Sequence, residues 1–211
     1  MLKRALIIPT YLPTITSMAA IVQTQELILE IQDNYQKQSY RNRTYINTAN
    51  GRLGLTIPVK HKKSIGHKKT INALIENNFL WQRQHWRSIQ IAYRSSPFFE
   101  YYEDELAILY TKEYKDLQQF NIFAIELLLE MLGLDKKFKL SKTYENPTEY
   151  IDLRILASAK MKNRSIIVPE YDQVFAETNE FNAQVSVIDL LFSEGPNAVN
   201  YLQKISLEPL L

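Results

Sequence analysis

Hydrophobic and polar positions fall into short blocks at the start of the chain. Those blocks predict a strand, a turn, a helix and a second strand. Leu2 to Ile8 is an apolar run stopped by Pro9, which reads as a buried strand. Pro9-Thr10-Tyr11-Leu12-Pro13 is a stiff turn, because two prolines fix φ and push their neighbours toward extended backbone. From Thr14 to Thr24 the residues Ile15, Met18, Ala19 and Val22 recur at helical spacing, and Leu27 to Ile31 is a second apolar run. Strand, turn, helix and strand in immediate succession is the pattern of a βαβ unit. In open sheets of that kind, ligands sit beyond the carboxyl ends of the strands. Here those ends carry Pro9 to Pro13 and Gln32 to Arg43.

The pattern then changes to period two. Thr44, Tyr45 and Ile46 favour a strand, Asn50-Gly51 is a strong turn signal, and Leu53, Leu55, Ile57 and Val59 alternate with smaller or polar residues. This predicts a β-hairpin that holds the polar run Tyr35 to Arg43 near a basic loop. That loop contains Lys60, His61, Lys62, Lys63, His67, Lys68 and Lys69. Helical spacing follows in Trp81 to Arg94, in the segment opened by Pro97 and continued by Leu106, Leu109 and Tyr110, and most clearly in Leu117 to Leu132, which Gly133 ends. Phe138 to Leu140 predicts a strand, and the polar stretch Ser141 to Arg164 a loop with a short helix around Ile151 to Leu156. Ser165 to Val168 reads as a last edge strand, Ser186 to Phe192 as a helix broken by Gly195-Pro196, and Asn197 to Lys204 as a final turn or two. The sum is a single α/β domain over residues 1–211. It has a small central, partly parallel Rossmann-like sheet, a β-hairpin extension and a large helical layer.

Composition narrows the function. Apolar residues make up 45% of 211, enough for a sizeable core, and the net charge of +2 is too small for a whole-protein nucleic-acid field. The basic loop lacks the interleaved aromatics of a single-strand binder, which argues against a nucleic-acid partner. With no cysteine, disulfides, thiolate nucleophiles and cysteine-ligated zinc are excluded. There is no Gly-x-x-x-x-Gly-Lys-Ser/Thr loop and no Gly-x-Gly-x-x-Gly, so no standard phosphate loop, and no cofactor is indicated. Prolines interrupt the apolar run after Lys3 and Arg4, and no stretch reaches the ~20 apolar residues of a membrane span. The expectation is a cytoplasmic protein without a transmembrane segment.

Several residues carry candidate chemistry. Arg41 and Arg43 flanking Asn42 suit bidentate binding of a phosphate or carboxylate, although a solvated turn has the same pattern. Lys60 opens the basic loop, which suits an anionic small molecule or is simply a solvated face. His85 is the acid–base candidate, since its ordinary pKa lies near neutrality. A lone histidine on a partly apolar helix face is more often structural. The histidines share no metal-ligand spacing, so no metal site is expected. Tyr11, Tyr35 and Tyr40 belong to the strand-end segments, Tyr93 follows His85 on its helix, and Asp189 sits on the apolar last helix, where it caps, orients a base or pairs with an arginine.

Six phrases in order carry a resemblance: PTYLP at Pro9 to Pro13, YQKQSYRNR at Tyr35 to Arg43, LTIPV at Leu55 to Val59, HWRSIQIAYRSSPFFEYY at His85 to Tyr102, FNIFAIELLLEMLGL at Phe120 to Leu134 and VSVIDLLFSEGPNAVNYL at Val185 to Leu202. Together they resemble the WbqC-like family. The resemblance implies a transferase of cell-surface polysaccharide (O-antigen-type) biosynthesis that moves an amino-acyl, for example glycyl, group onto a sugar. Its donor would be a sugar nucleotide or an activated acyl compound. The chain departs from the family's pattern in two places. Ile8 stands where Gln or His often precedes the first proline, and the interval from Arg164 to Tyr171 has no room for a glycine-containing YLSG-like segment, which makes this a short form. Those departures also fit a non-catalytic ligand-binding or scaffold protein of the same pathway. The aromatic surface around Phe98 to Tyr102 is compatible with a homodimer.

Overall fold

The computed structural model describes residues 2–60, 69–146, 148–160 and 166–211. The first strand, β1 (Leu2–Ile7), is followed by helix α1 (Ile15–Gln23) and strand β2 (Thr24–Leu29). Thr14 caps α1, its hydroxyl accepting from the amide of Ser17 at 3.2 Å. No loop separates α1 from β2. Thr24 turns to extended backbone (φ −86, ψ 129) while its hydroxyl donates back to the Ala20 carbonyl. The second strand therefore begins three residues before the apolar run that announces it and ends at Leu29 rather than Ile31.

Strands β5 (Phe138–Leu140) and β6 (Ile151–Asp152) complete a sheet of order β5-β2-β1-β6, in which every pairing is parallel. Ile151 thus begins a strand and not a helix. It pairs with Ala5 of β1, and a 3-10 turn follows at Arg154–Ala157. The expected edge strand does not form among its described residues, Ile166 to Val168, which lie in irregular backbone.

The hairpin forms a separate sheet of β3 (Arg43–Thr48) and β4 (Gly51–Thr56). Its turn sits one residue earlier than the Asn50-Gly51 signal suggests. Ala49 and Asn50 are the central pair, and Gly51, at φ 88, opens β4 opposite Thr48. Only Gly51 takes positive φ, so the requirement falls on the residue after the turn's centre.

Helices α2 (Trp81–Tyr93), α3 (Phe99–Thr111) and α4 (Leu117–Met131) fill the middle of the chain, and α5 (Val187–Glu194) and α6 (Ala198–Lys204) its end. Gly133 ends α4 at φ 68, with the Leu134 amide returned to the Leu129 carbonyl. A contiguous apolar cluster joins β1 and β2 to Phe120, Ala124 and Leu128 of α4 and to Val187, Leu190 and Phe192 of α5. The hairpin is tied on by backbone: Ser186 N–H donates to Tyr45 O, and the Thr44 hydroxyl donates to Leu12 O in the proline turn. Among the described residues no helix is long and apolar enough to cross a membrane.

Candidate functional site

The carboxyl ends of β1, β2 and β6 open onto a crevice of about 780 Å³. This is the place a parallel sheet offers a ligand. Strand order sets its walls. The chain leaving β2 brings Gln32, Asp33 and Asn34, the chain leaving β6 brings Asp152, Arg154 and Ser158, and Ile8 at the end of β1 lies between. Gln36, Arg41, Lys69 and Tyr144 complete the lining with Ile155.

Each of the outer walls carries an arginine–aspartate pair. Arg41 Nε and Nη2 both reach Asp33 Oδ2 at 2.7 Å, with only 4% of either side chain exposed. Burial pushes the Asp33 carboxyl up, and the Arg41 guanidinium is the main opposing influence. The buried Thr70 hydroxyl beside it favours the charged form as well, although neither Thr70 Oγ1 nor Asp33 Oδ1 makes a well-aligned hydrogen bond. On the other wall Arg154 clamps Asp152 through Nε–Oδ1 at 2.8 Å and Nη2–Oδ2 at 2.7 Å. That fork holds the Asp152 carboxyl below its ordinary value. The same guanidinium lies over the Tyr144 ring at 4.5 Å and 3.6 Å from the buried Glu30 carboxylate. Glu30 in turn accepts from the Ser141 hydroxyl and from the amides of Gln32 and Glu145. Lys69 hydrogen-bonds Gln32 and pairs with no carboxylate among the described residues.

Backbone lacing holds this end of the sheet. Tyr11 N–H donates to Tyr40 O, Tyr40 N–H to Ala157 O, and Thr70 N–H to Asp33 O, while Asn34 bridges to Lys69. The basic segment's last lysine therefore meets Gln32 and Asn34, just before the polar run Tyr35 to Arg43. Its residues His61 to Lys68 lie outside the described residues.

Of the residues picked out by sequence, Arg41 lines the crevice. Tyr40 lines a smaller pocket of about 110 Å³ that adjoins at Ser158. Arg43 lies on the hairpin, where it hydrogen-bonds Thr56 Oγ1 at 3.2 Å and the Tyr45 hydroxyl. The half-buried Tyr35 hydroxyl, raised by burial, is drawn back by both Arg41 and Arg43. Asn42 donates to Ile57 O, and the backbone of Lys60 donates to Leu74 O.

Tyr11 and His85 meet in the core. The Tyr11 hydroxyl lies 2.9 Å from His85 Nδ1 and 2.9 Å from the Tyr110 hydroxyl, and the Thr56 carbonyl accepts from the imidazole N–H. Nδ1 is thus the acceptor, and Tyr11 donates to it. Burial lowers the His85 pKa to about 4, so the ring is neutral at physiological pH. Asp189 is fully buried on α5 and accepts from Tyr93 at 2.8 Å, Tyr171 at 2.5 Å and Gln173 at 2.9 Å. Burial raises its carboxyl, and those three donors oppose the rise. Tyr93 also accepts from the Asn47 amide, so the network locks the hairpin to α2 and α5. Neither cluster lines the crevice.

Asp33, Tyr144, Asp152 and Arg154 escaped sequence reasoning. The available signals were the acid two residues past the second apolar run and the Asp-x-Arg spacing that begins on the two-residue strand β6.

The family's sequence model matches residues 9–167, which include both crevice walls. The chain belongs to the WbqC-like protein family. A relative, "Uncharacterized protein Rv1507c" from Mycobacterium tuberculosis (strain ATCC 25618 / H37Rv), is 25% identical over 229 aligned positions that cover 96% of this chain and 98% of the relative. No solved structure matches. Ile8, one residue before the matched span, lines the crevice.

Proposed function

We propose that the crevice binds a sugar or sugar nucleotide, and that the chain is a transferase of cell-surface polysaccharide biosynthesis that acylates, for example glycylates, that sugar. Family membership supports the pathway, and the paired walls support the ligand class. Both crevice guanidiniums are already neutralised by carboxylates, so the walls present directional donors and acceptors with little net charge. Hydroxyl groups of a sugar ring match such a surface, because each can donate to a carboxylate and accept from a guanidinium. Lys69, which pairs with no carboxylate among the described residues, adds a positive charge at the rim, where a single phosphate or carboxylate of the ligand would lie. A volume of about 780 Å³ holds a nucleotide-sized ligand.

A second reading, a non-catalytic sugar-binding protein, is favoured by one observation. Tyr11, His85 and Asp189 all lie outside the crevice walls. As catalytic groups they would act from behind the wall: His85, through Tyr11, would have to exchange a proton with a ligand it does not touch.

Thermal shift and titration calorimetry separate these ideas. A panel of hexoses, sugar nucleotides and aminoacyl-adenylate analogues is tested on the purified protein, since a ligand of the folded state raises its melting temperature. The expected result is a rise with sugar nucleotides. In Lys69→Ala their affinity should drop by roughly two- to five-fold, the worth of one exposed charge contact, while neutral sugar binding stays. No shift with any sugar-containing compound would remove the crevice from consideration. Binding without acyl transfer from any activated donor would leave the second reading.

A further inference from the structure

The outer side of the α2–α3 pair carries a pattern that the crevice does not use. On α2, with its N-cap, Leu80, Arg83, Arg87, Ile91 and Arg94 fall on one stripe, all exposed. On α3 the exposed stripe is Glu100, Tyr101, Asp104 and Ile108. The seam between the helices is filled by Trp86 stacking on Phe99 and Tyr110 and by Gln90 donating to Glu103. Both stripes therefore face away from the core. Among the described residues, none of the three arginines forms an ion pair with the neighbouring acids or with any other carboxylate. Large apolar side chains sit among these charges: Ile91 is 72% exposed, Tyr101 70% and Leu80 66%.

We propose that this face docks a second copy of the same chain, α2 of one protomer lying against α3 of the other about a two-fold axis. The argument is self-complementarity. A two-fold interface brings a patch against itself, so it needs both signs of charge side by side, and a basic stripe beside an acidic one meets that need twice over. A nucleic acid or a uniformly acidic partner would match α2 but meet Glu100 and Asp104 on α3. The seam buries Phe99 and Tyr102 and half-buries Phe98, so the patch is not the aromatic surface Phe98 to Tyr102 as a whole. From that segment Tyr101 and Glu100 contribute.

Each helix has 13 residues, so about 20 Å of length, and two helices about 10 Å apart give a footprint on the order of 400 Å² per protomer. That is small for a permanent dimer. The association is therefore reversible and weakened by salt, because its charges lie at the surface.

Sedimentation velocity over a concentration series, at low and high salt, tests this. Wild type should show a monomer–dimer equilibrium that salt shifts toward monomer. Arg87→Glu sets an acid against the acidic stripe of the partner, and Asp104→Arg sets a base against the basic one. Each alone should weaken association by about ten-fold or more, since like charges then face each other. An equimolar mixture of the two variants should dimerise again, because every stripe regains an opposite partner. Both positions are exposed, and unchanged melting curves would exclude misfolding. A wild type that stays monomeric at every concentration in low salt overturns the proposal. So does a dimer indifferent to both substitutions, or a mixture that fails to associate.

Discussion

Replacing Arg41 by alanine is expected to destabilise the fold by about 3–5 kcal/mol, whereas Arg43→Ala costs at most about 1 kcal/mol. The two arginines are two residues apart and look alike in sequence. In the fold Arg41 is buried with its ends on Asp33, while Arg43 has partners only on the hairpin surface. Removing Arg41 strands a buried carboxylate, and that uncompensated charge accounts for the large loss. Asp33→Ala/Arg41→Ala should then recover part of it, because nothing charged is left behind. The loss should also shrink in acid. The Asp33 carboxyl already lies above its ordinary value and climbs further without its partner. A group raised in the folded state favours folding fully below its unfolded value and ceases to as pH rises through the folded one. Arg41→Ala should therefore approach wild type at the acid end of the range. Urea unfolding at neutral and acid pH measures all three variants. An Arg41→Ala loss below about 1 kcal/mol would mean that water reaches the pair, and that the crevice wall is not preorganised.

The second large effect is a pH limb set by His85. Its pKa falls from 6.5 to about 4 on folding, because burial penalises the imidazolium more than the Thr56 carbonyl favours it. A depressed group stabilises the fold above its unfolded pKa and loses that contribution as pH falls toward the folded one. The window is thus pH 6.5 down to about 4. At roughly 1.4 kcal/mol per unit, about 3 kcal/mol is lost across it. His85→Gln retains an acceptor for Tyr11 and a donor for Thr56 but cannot titrate, so this part of the acid limb should vanish in it. The comparison with the variant matters because Asp33 and Asp189, raised by burial, act in the opposite sense. Equal acid limbs in the two proteins would show that His85 is already accessible to water in the fold.

How much of this was readable in advance depends on range along the chain. β1, α1 and β2 were legible because prolines and apolar spacing act locally, and α4 because its apolar face ends at a glycine. The hairpin was legible from its alternation, with the turn shifted by one residue because positive φ fell on Gly51 and not on Asn50. β6 was not legible. Two residues in a polar stretch carry no period, and their strand character comes wholly from pairing with β1 at the far end of the sequence. The same limit hid half of the site. Sequence grouped Arg41 and Arg43 as one anion clamp, but β3 starts at Arg43, and Arg41 turns inward to an aspartate whose position no periodicity marks. Tyr11 and His85 stood out as chemistry, yet their hydrogen bond to each other spans 74 residues and rests on the helix packing between them.

That long reach of β6 has a bearing on how the protein assembles. β1 meets β2 across one short helix, a closure that costs little chain entropy. Ala5 meets Ile151, and Leu153 N–H meets Leu6 O, only after the hairpin and α2 to α4 have been gathered in between. Non-local pairings of this kind form late. The wall bearing Asp152 and Arg154 is then the last part of the sheet to close on folding and the first to open in the folded protein. Amide exchange at Leu153 should accordingly outpace exchange at Glu30, whose amide binds Ile7 inside the local unit. Binding competence would be a late acquisition of the chain, gained through its shortest strand.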